Sequence, residues 1–99
     1  MTINKLENGA KLTIAVEGRL DTTTSPALEN EIKSSLEGVT ELVFDFEKLE
    51  YISSSGLRVL LAAQKTMSKQ GHMKIIHPSE IVLEIFDVTG FSDILDIEK

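Results

Sequence analysis

Over residues 11–18 the sequence KLTIAVEG alternates, with Leu12, Ile14 and Val16 on one face, which is the period-two pattern of a half-buried strand. Ile3 and Leu6 mark a shorter strand before it, and Asn8-Gly9 between the two predicts a hairpin. The rhythm then changes. GRLDTTTSPALENEIKSSLEG opens with a turn, offers Ser25 as N-cap and Pro26 at the first helical position, and repeats Leu28, Ile32 and Leu36 along one stripe until Gly38 closes it. ELVFDF, mostly apolar and β-prone, predicts an interior strand. Across residues 57–70 the period is helical again. Arg58, Lys65 and Lys69 form a solvated stripe, Leu57, Leu60, Leu61, Ala63 and Met67 lie largely away from it, and Gly71 is the stop. HMKIIH predicts the next strand. Pro78-Ser79 begins a third helix with Ile81, Val82, Ile85 and Phe86 facing inward until Gly90, and DILDI adds a last edge strand.

The order ββαβαβα(β) is that of an α/β chain whose helices cover a mixed sheet of about four to five strands with about three helices. No linker, repeat or low-complexity segment interrupts it, so residues 1–99 are expected to form a single domain. With 41% apolar and 26% charged residues, the chain has enough hydrophobic surface to fold alone. It has no cysteine, which removes disulfides and thiolate metal sites and fits a reducing compartment, so a cytoplasmic location is expected. A formal charge of -6 argues against nucleic acid and anionic lipid as partners, because phosphate binding needs a concentrated basic patch. No leader-like N-terminus and no apolar run near the ~20 residues of a membrane span is present, so no membrane insertion is expected.

The chemistry concentrates in YISSSGLRVLL, where three serines and a glycine precede the second helix. If the helix begins just after Ser54, the side chains of Ser53, Ser54 and Ser55 surround a first turn in which up to four N–H groups lack intrahelical partners. One hydroxyl suffices as a cap and the others are surplus. Gly56 in the first turn costs up to ~1 kcal/mol relative to alanine, which points to close approach by another molecule. A phosphate at such a terminus gains about 0.3 to 1 kcal/mol from the helix dipole, so it would leave the fold intact. Its added charge would oppose a docked partner.

Three segments carry a family resemblance. EGRLDTTTSPAL resembles the Gly-x-Leu-Asp turn of STAS-domain anti-sigma factor antagonists, LVFDFEKLEYISSSGLRVLL resembles their strand and phosphorylated helix start, and FDVTGFSDIL resembles their closing Thr/Ser-Gly segment. The resemblance implies an anti-sigma factor antagonist that binds an anti-sigma factor, itself a serine kinase of the histidine-kinase-like ATPase type, and so frees a sigma factor. Phosphorylation would end the binding and a phosphatase would restore it. By alignment the acceptor is Ser54, with Ser55 as the fallback. The resemblance also places Asp21, Thr22, Ser53, Gly56, Leu57, Arg58, Thr89 and Gly90 at or near the partner surface, and Asp21 is expected to accept a hydrogen bond from Ser54. Ser53 stands where the family has Asp. A final helix present in longer relatives has little room before Lys99. The free protein is expected to be a monomer.

The bland alternatives are capping and turn chemistry for the serines and Asp21, a helix stop for Thr89-Gly90, and a strand-end carboxylate near solvent for Asp45. His72 and His77 flank a strand without metal-ligand spacing. An enzyme with a serine nucleophile is disfavoured, because Ile52 and Ser53 occupy the positions where Gly-x-Ser-x-Gly needs glycine. No P-loop or Gly-x-Gly-x-x-Gly motif is present, so no cofactor is expected on this chain and ATP would belong to the partner. The competing function is a constitutive STAS scaffold, a subunit of a transport or stress-sensing complex without phospho-switching.

Overall fold

The computed structural model describes all residues from Met1 to Lys99. The chain runs β1 (Thr2–Asn8), β2 (Lys11–Leu20), α1 (Ser25–Ser35), β3 (Glu41–Asp45), β4 (Leu49–Ile52), α2 (Ser54–Gln70), β5 (His72–Ile76), α3 (Glu80–Thr89), a 3₁₀ turn (Phe91–Asp93) and β6 (Asp96–Glu98). The mixed α/β order read from the sequence holds with one addition, β4, which raises the strand count to six. The sheet order is β1-β2-β3-β5-β6. β1 and β2 are antiparallel and every other pair is parallel. Asn8 pairs with Lys11, so the hairpin turn is Gly9-Ala10, one residue later than Asn8-Gly9.

The register puts the apolar face together row by row. Leu12, Leu42 and Met73 align across β2, β3 and β5, and Ile14, Phe44, Ile75 and Ile97 form the next row. Except for Ile97, which is partly buried and packs against it, these side chains join Leu28 and Ile32 of α1, Leu36 at its C-cap, Leu57, Leu60, Ala63 and Met67 of α2, and Val82 and Phe86 of α3 in one cluster of 23 buried residues. The stripe expected on α3 is corrected at Ile81, which is 58% exposed, because Val82 and Phe86 set the buried side of that helix and Ile81 falls beside them. Leu6 is likewise exposed on edge strand β1.

The pairing of β2 positions everything that follows. Its first half pairs with β3 and its last three residues pair with β4, with a shift of register between Gly18 and Arg19. β3 ends at Asp45, whose Oδ1 accepts the Glu47 N–H at 3.1 Å as a strand-end carboxylate, and the chain turns through Phe46 to re-enter beside the same β2. One long strand thus serves two short ones in succession, and the end of β4 is delivered to the end of β2.

Helix ends differ from the sequence expectation by a residue or two. Thr24 occupies the N-cap position of α1 and Ser25 is its first residue, with its hydroxyl donating to the Asp21 carbonyl. α1 ends at Ser35, and Gln70 Nε2 donates to the carbonyls of Leu36 at 2.7 Å and Val39 at 2.6 Å, which ties the far end of α2 to the end of α1. Gly71 ends α2 in extended geometry, where steric contact is the constraint. A Cβ there would stand 1.9 Å from the Thr40 carbonyl oxygen, the same oxygen that accepts the His72 N–H at 2.9 Å.

Gly71→Ala therefore forces backbone against backbone. We expect it to lower the unfolding free energy by roughly 1–3 kcal/mol in urea titrations, the range of overpacking changes, and an unchanged midpoint would show that this junction yields freely.

Candidate functional site

Two strand ends build the site. At the end of β2, Leu20 leads into the turn Asp21-Thr22-Thr23-Thr24. At the end of β4, Ile52 leads into the serines. The Ser53 N–H donates to the Leu20 carbonyl at 2.8 Å, so the two loops leave the sheet side by side. Parallel strands place the N-termini of their following helices on the same edge, which is why α1 and α2 both begin here.

The three serines have separate roles. Ser53, in extended geometry, is the N-cap, and its Oγ accepts the Gly56 N–H at 3.4 Å. Helix α2 begins at Ser54 itself, one residue earlier than expected. Ser55 is half-buried, and its Oγ lies 3.3 Å from Thr22 Oγ1, a hydroxyl–hydroxyl bond between the two loops. Ser54 is exposed and its side chain takes part in none of these contacts. By helix geometry the N–H groups of Ser54 and Ser55 have no intrahelical carbonyl to reach.

Gly56 is explained by the protein's own packing. A Cβ at Gly56 would meet Ile52 Cγ1 and Leu20 Cγ, each at 2.8 Å, so the first turn of α2 rests directly on the ends of β4 and β2. The expectation that Gly56 serves the approach of another molecule is corrected accordingly. Leu57 is corrected with it, since its side chain is buried in the core.

Asp21 holds its own turn. Its Oδ1 accepts the N–H groups of Thr23 at 3.0 Å and Thr24 at 3.1 Å, with the Thr24 hydroxyl at 3.2 Å, and its N–H donates to Thr24 Oγ1. No hydrogen bond joins Asp21 to Ser54, because a short carboxylate reaches the N–H groups two and three residues ahead more readily than a neighbouring loop. The backbone N–H of Thr24 is the main reason the carboxyl sits below its ordinary value of 3.8. It acts against partial desolvation, with Thr23, the Thr24 hydroxyl and the charge of Arg19 adding to it.

Arg19 itself is a residue that sequence reading missed. It is the register partner of Tyr51, and its guanidinium lies 4.5 Å from the centre of that ring. Only the β2–β4 pairing reveals this neighbour, and a four-residue strand leaves too short a pattern to announce that pairing. Arg58 is exposed one turn into α2. With Thr22, Ser25, Pro26, Glu29, Ser55 and Val59 it lines a hollow of about 210 Å³ between the two helix starts.

Thr89 and Gly90 lie elsewhere. They end α3, which carries the chain back from the end of β5 toward the start of β6. The Thr89 hydroxyl bonds the Ile85 carbonyl at 2.6 Å and Gly90 caps the helix in the left-handed region. Both residues thus act as the stop of that helix. His72 pairs with Asp96 at 2.7 Å on strands that β3 separates from β2.

The STAS domain family model matches residues 2–99. An anti-sigma-B factor antagonist from Bacillus subtilis is 28% identical over 98% of this chain and 90% of its own length. Among solved structures, an anti-sigma factor antagonist from Mycobacterium paratuberculosis superposes with a TM-score of 0.89 at 22% identity, covering 98% of this chain and 84% of that one. The antagonist SpoIIAA in its unphosphorylated form gives 0.85 at 20% identity over 99% and 89% of the two chains. Its phosphorylated form from Bacillus gives 0.76 at 19% identity over 99% and 92%.

Because the folded carboxylate is favoured, Asp21 contributes stability above the unfolded value of 3.8 that is lost as pH falls through its lower folded value. We expect the stability gap between wild type and Asp21→Asn, measured by urea unfolding, to be present at pH 7 and to narrow by pH 3. A gap independent of pH would refute the role of the charge.

Proposed function

Since the chain belongs to the STAS domain family, we propose that it is an anti-sigma factor antagonist whose hold on its anti-sigma factor is broken by phosphorylation of Ser54. The observation that carries this reading is the division of labour among the serines. Ser53 caps, Ser55 joins the loops, and Ser54, which the family resemblance suggests as acceptor, is the exposed hydroxyl with no structural duty.

The partner is a protein kinase that brings its own ATP. Ser54 Oγ attacks the γ-phosphorus, the bond to the β-phosphate oxygen breaks, ADP leaves, and the hydroxyl proton passes to a base on the kinase. A phosphatase reverses the change by delivering water to the phosphorus and releasing inorganic phosphate. The modified side chain carries about -1.5 to -2 charges at the positive end of α2, a favourable place for an anion, so the fold tolerates it. A partner surface packed over the same residue would have to desolvate that charge. Each ~1.4 kcal/mol of this penalty weakens binding tenfold.

Replacement of the family's Asp by Ser53 fits this reading at the level of the helix. Asp and Ser are equivalent N-caps, and Ser53 does accept the Gly56 N–H. What is lost is one negative charge beside the acceptor. That loss is also the observation favouring the second reading, a constitutive scaffold in which the serine loop is a fixed contact.

The test uses the purified anti-sigma factor encoded in the same genome, with ATP and intact-mass analysis. We expect wild type to gain one phosphate and Ser54→Ala none, Ser54→Ala to keep its affinity, and Ser54→Asp to lose affinity by a smaller factor than the phosphorylated chain. No mass gain on wild type, with binding intact, would leave the scaffold reading in its place.

A further inference from the structure

A groove runs between α1 and α2 from the serine loop toward Gln70. At its mouth is the hollow lined by Thr22, Ser55 and Arg58. Next to it is a slot of about 260 Å³ over an apolar floor of Ile32, Leu36, Val59 and Ala63, and Glu29 and Val59 border both hollows. Both ends are tied: Thr22 to Ser55 at the mouth, and Gln70 to the Leu36 and Val39 carbonyls at the far end. The groove is therefore preformed, and a partner entering it need not pay to order it. From Ser55 to Thr66 it spans about 16 Å at the helical rise of 1.5 Å per residue.

Its charges select the occupant. Glu29 is 3.8 Å from Lys33 on α1 and so is already paired. Arg58 at the mouth is exposed and takes part in no ion pair, in a chain whose net charge is -6. An apolar slot beside one unpaired guanidinium suits a segment that offers an apolar side chain with a carboxylate next to it.

We propose that the α1–α2 groove is the anchor site for the anti-sigma factor, taking an apolar side chain of that partner into the slot while a partner carboxylate meets Arg58. This rests on the reading that the chain binds an anti-sigma factor at the serine loop, and it adds the place where the binding energy is concentrated. It also gives the phosphate a second way to act. Phosphoserine at position 54 is four residues before Arg58 on the same helix, within reach of its guanidinium, and would compete with the partner carboxylate.

Ala62 is exposed on the rim of the slot, so a large side chain there can fold over the opening without entering the core. With the purified anti-sigma factor, Ala62→Trp is expected to lose affinity by roughly tenfold or more while its melting temperature stays near wild type, and Ala62→Ser is expected to bind normally. Arg58→Ala is expected to weaken binding and reduce its dependence on salt. In methyl spectra of the wild-type complex, the signals of Ile32, Leu36 and Val59 are expected to shift on addition of the partner, a readout that needs no variant to fold. Full affinity in Ala62→Trp, or unmoved methyl signals in a complex that forms, would overturn the groove. The Ser54→Asp arm separates the two ideas. A loss there with none in Ala62→Trp removes the groove and keeps the switch, whereas the reverse keeps the groove and removes the switch.

Discussion

The site depends on one strand having two partners. β2 pairs with β3 over its first half and with β4 at its end, and the hydrogen bond from the Ser53 N–H to the Leu20 carbonyl fixes how the second partner leaves the sheet. Gly56 then lets the first turn of α2 rest against Leu20 and Ile52 with no Cβ between. These two constraints set the position and direction of the helix start to within van der Waals contact. A cap alone would leave the start of α2 free to shift, and a phosphate added there would shift with it. With the helix seated on both strand ends, the exposed hydroxyl of Ser54 is held at a defined place on a rigid surface.

That arrangement leaves one hydroxyl of the loop without a structural duty. Capping by Ser53 and the tie between Ser55 and Thr22 account for the polar needs of the loop, and the carboxylate of Asp21 is consumed by its own turn. Ser54 is left with nothing to stabilise. Chemistry on it changes the charge of the surface without removing a contact from the fold, which is the property a reversible switch needs. The nearby cations, Arg19 against Tyr51 and Arg58 at the groove, are local exceptions in an acidic chain. They give an approaching acidic surface a direction at the edge where both helices begin.

Much of this was legible in the residues. The alternation of Leu12, Ile14 and Val16 and the stripe of Leu28, Ile32 and Leu36 describe elements whose burial follows directly from their period, and all six side chains are buried. The serine run stood out because it holds more hydroxyls than a cap requires. β4 was not legible: LEYI is four residues long, with Glu50 exposed and Tyr51 half-buried, and it is a strand only because the end of β2 is waiting for it. Everything that depends on this pairing was hidden with it, including the Arg19–Tyr51 contact and the reason for Gly56. Asp21 was misassigned to Ser54 for a different reason. A motif shows that two residues belong to one site, and it does not show which neighbour a short side chain will satisfy first. Thr89 and Gly90 read as a helix stop from sequence, and a hydroxyl bond and a left-handed cap at the end of α3 account for both.

The proposed switch requires that a dianion on Ser54 be compatible with the fold and incompatible with the docked regulator. It is tested most directly on protein homogeneously phosphorylated at Ser54, by recording its amide spectrum and titrating it with the anti-sigma factor in a calorimeter. We expect shifts confined to residues 21–25 and the first turn of α2, with affinity at least tenfold weaker, a penalty of ~1.4 kcal/mol or more. Equal affinity in the two forms, or a spectrum changed throughout the core, would contradict it.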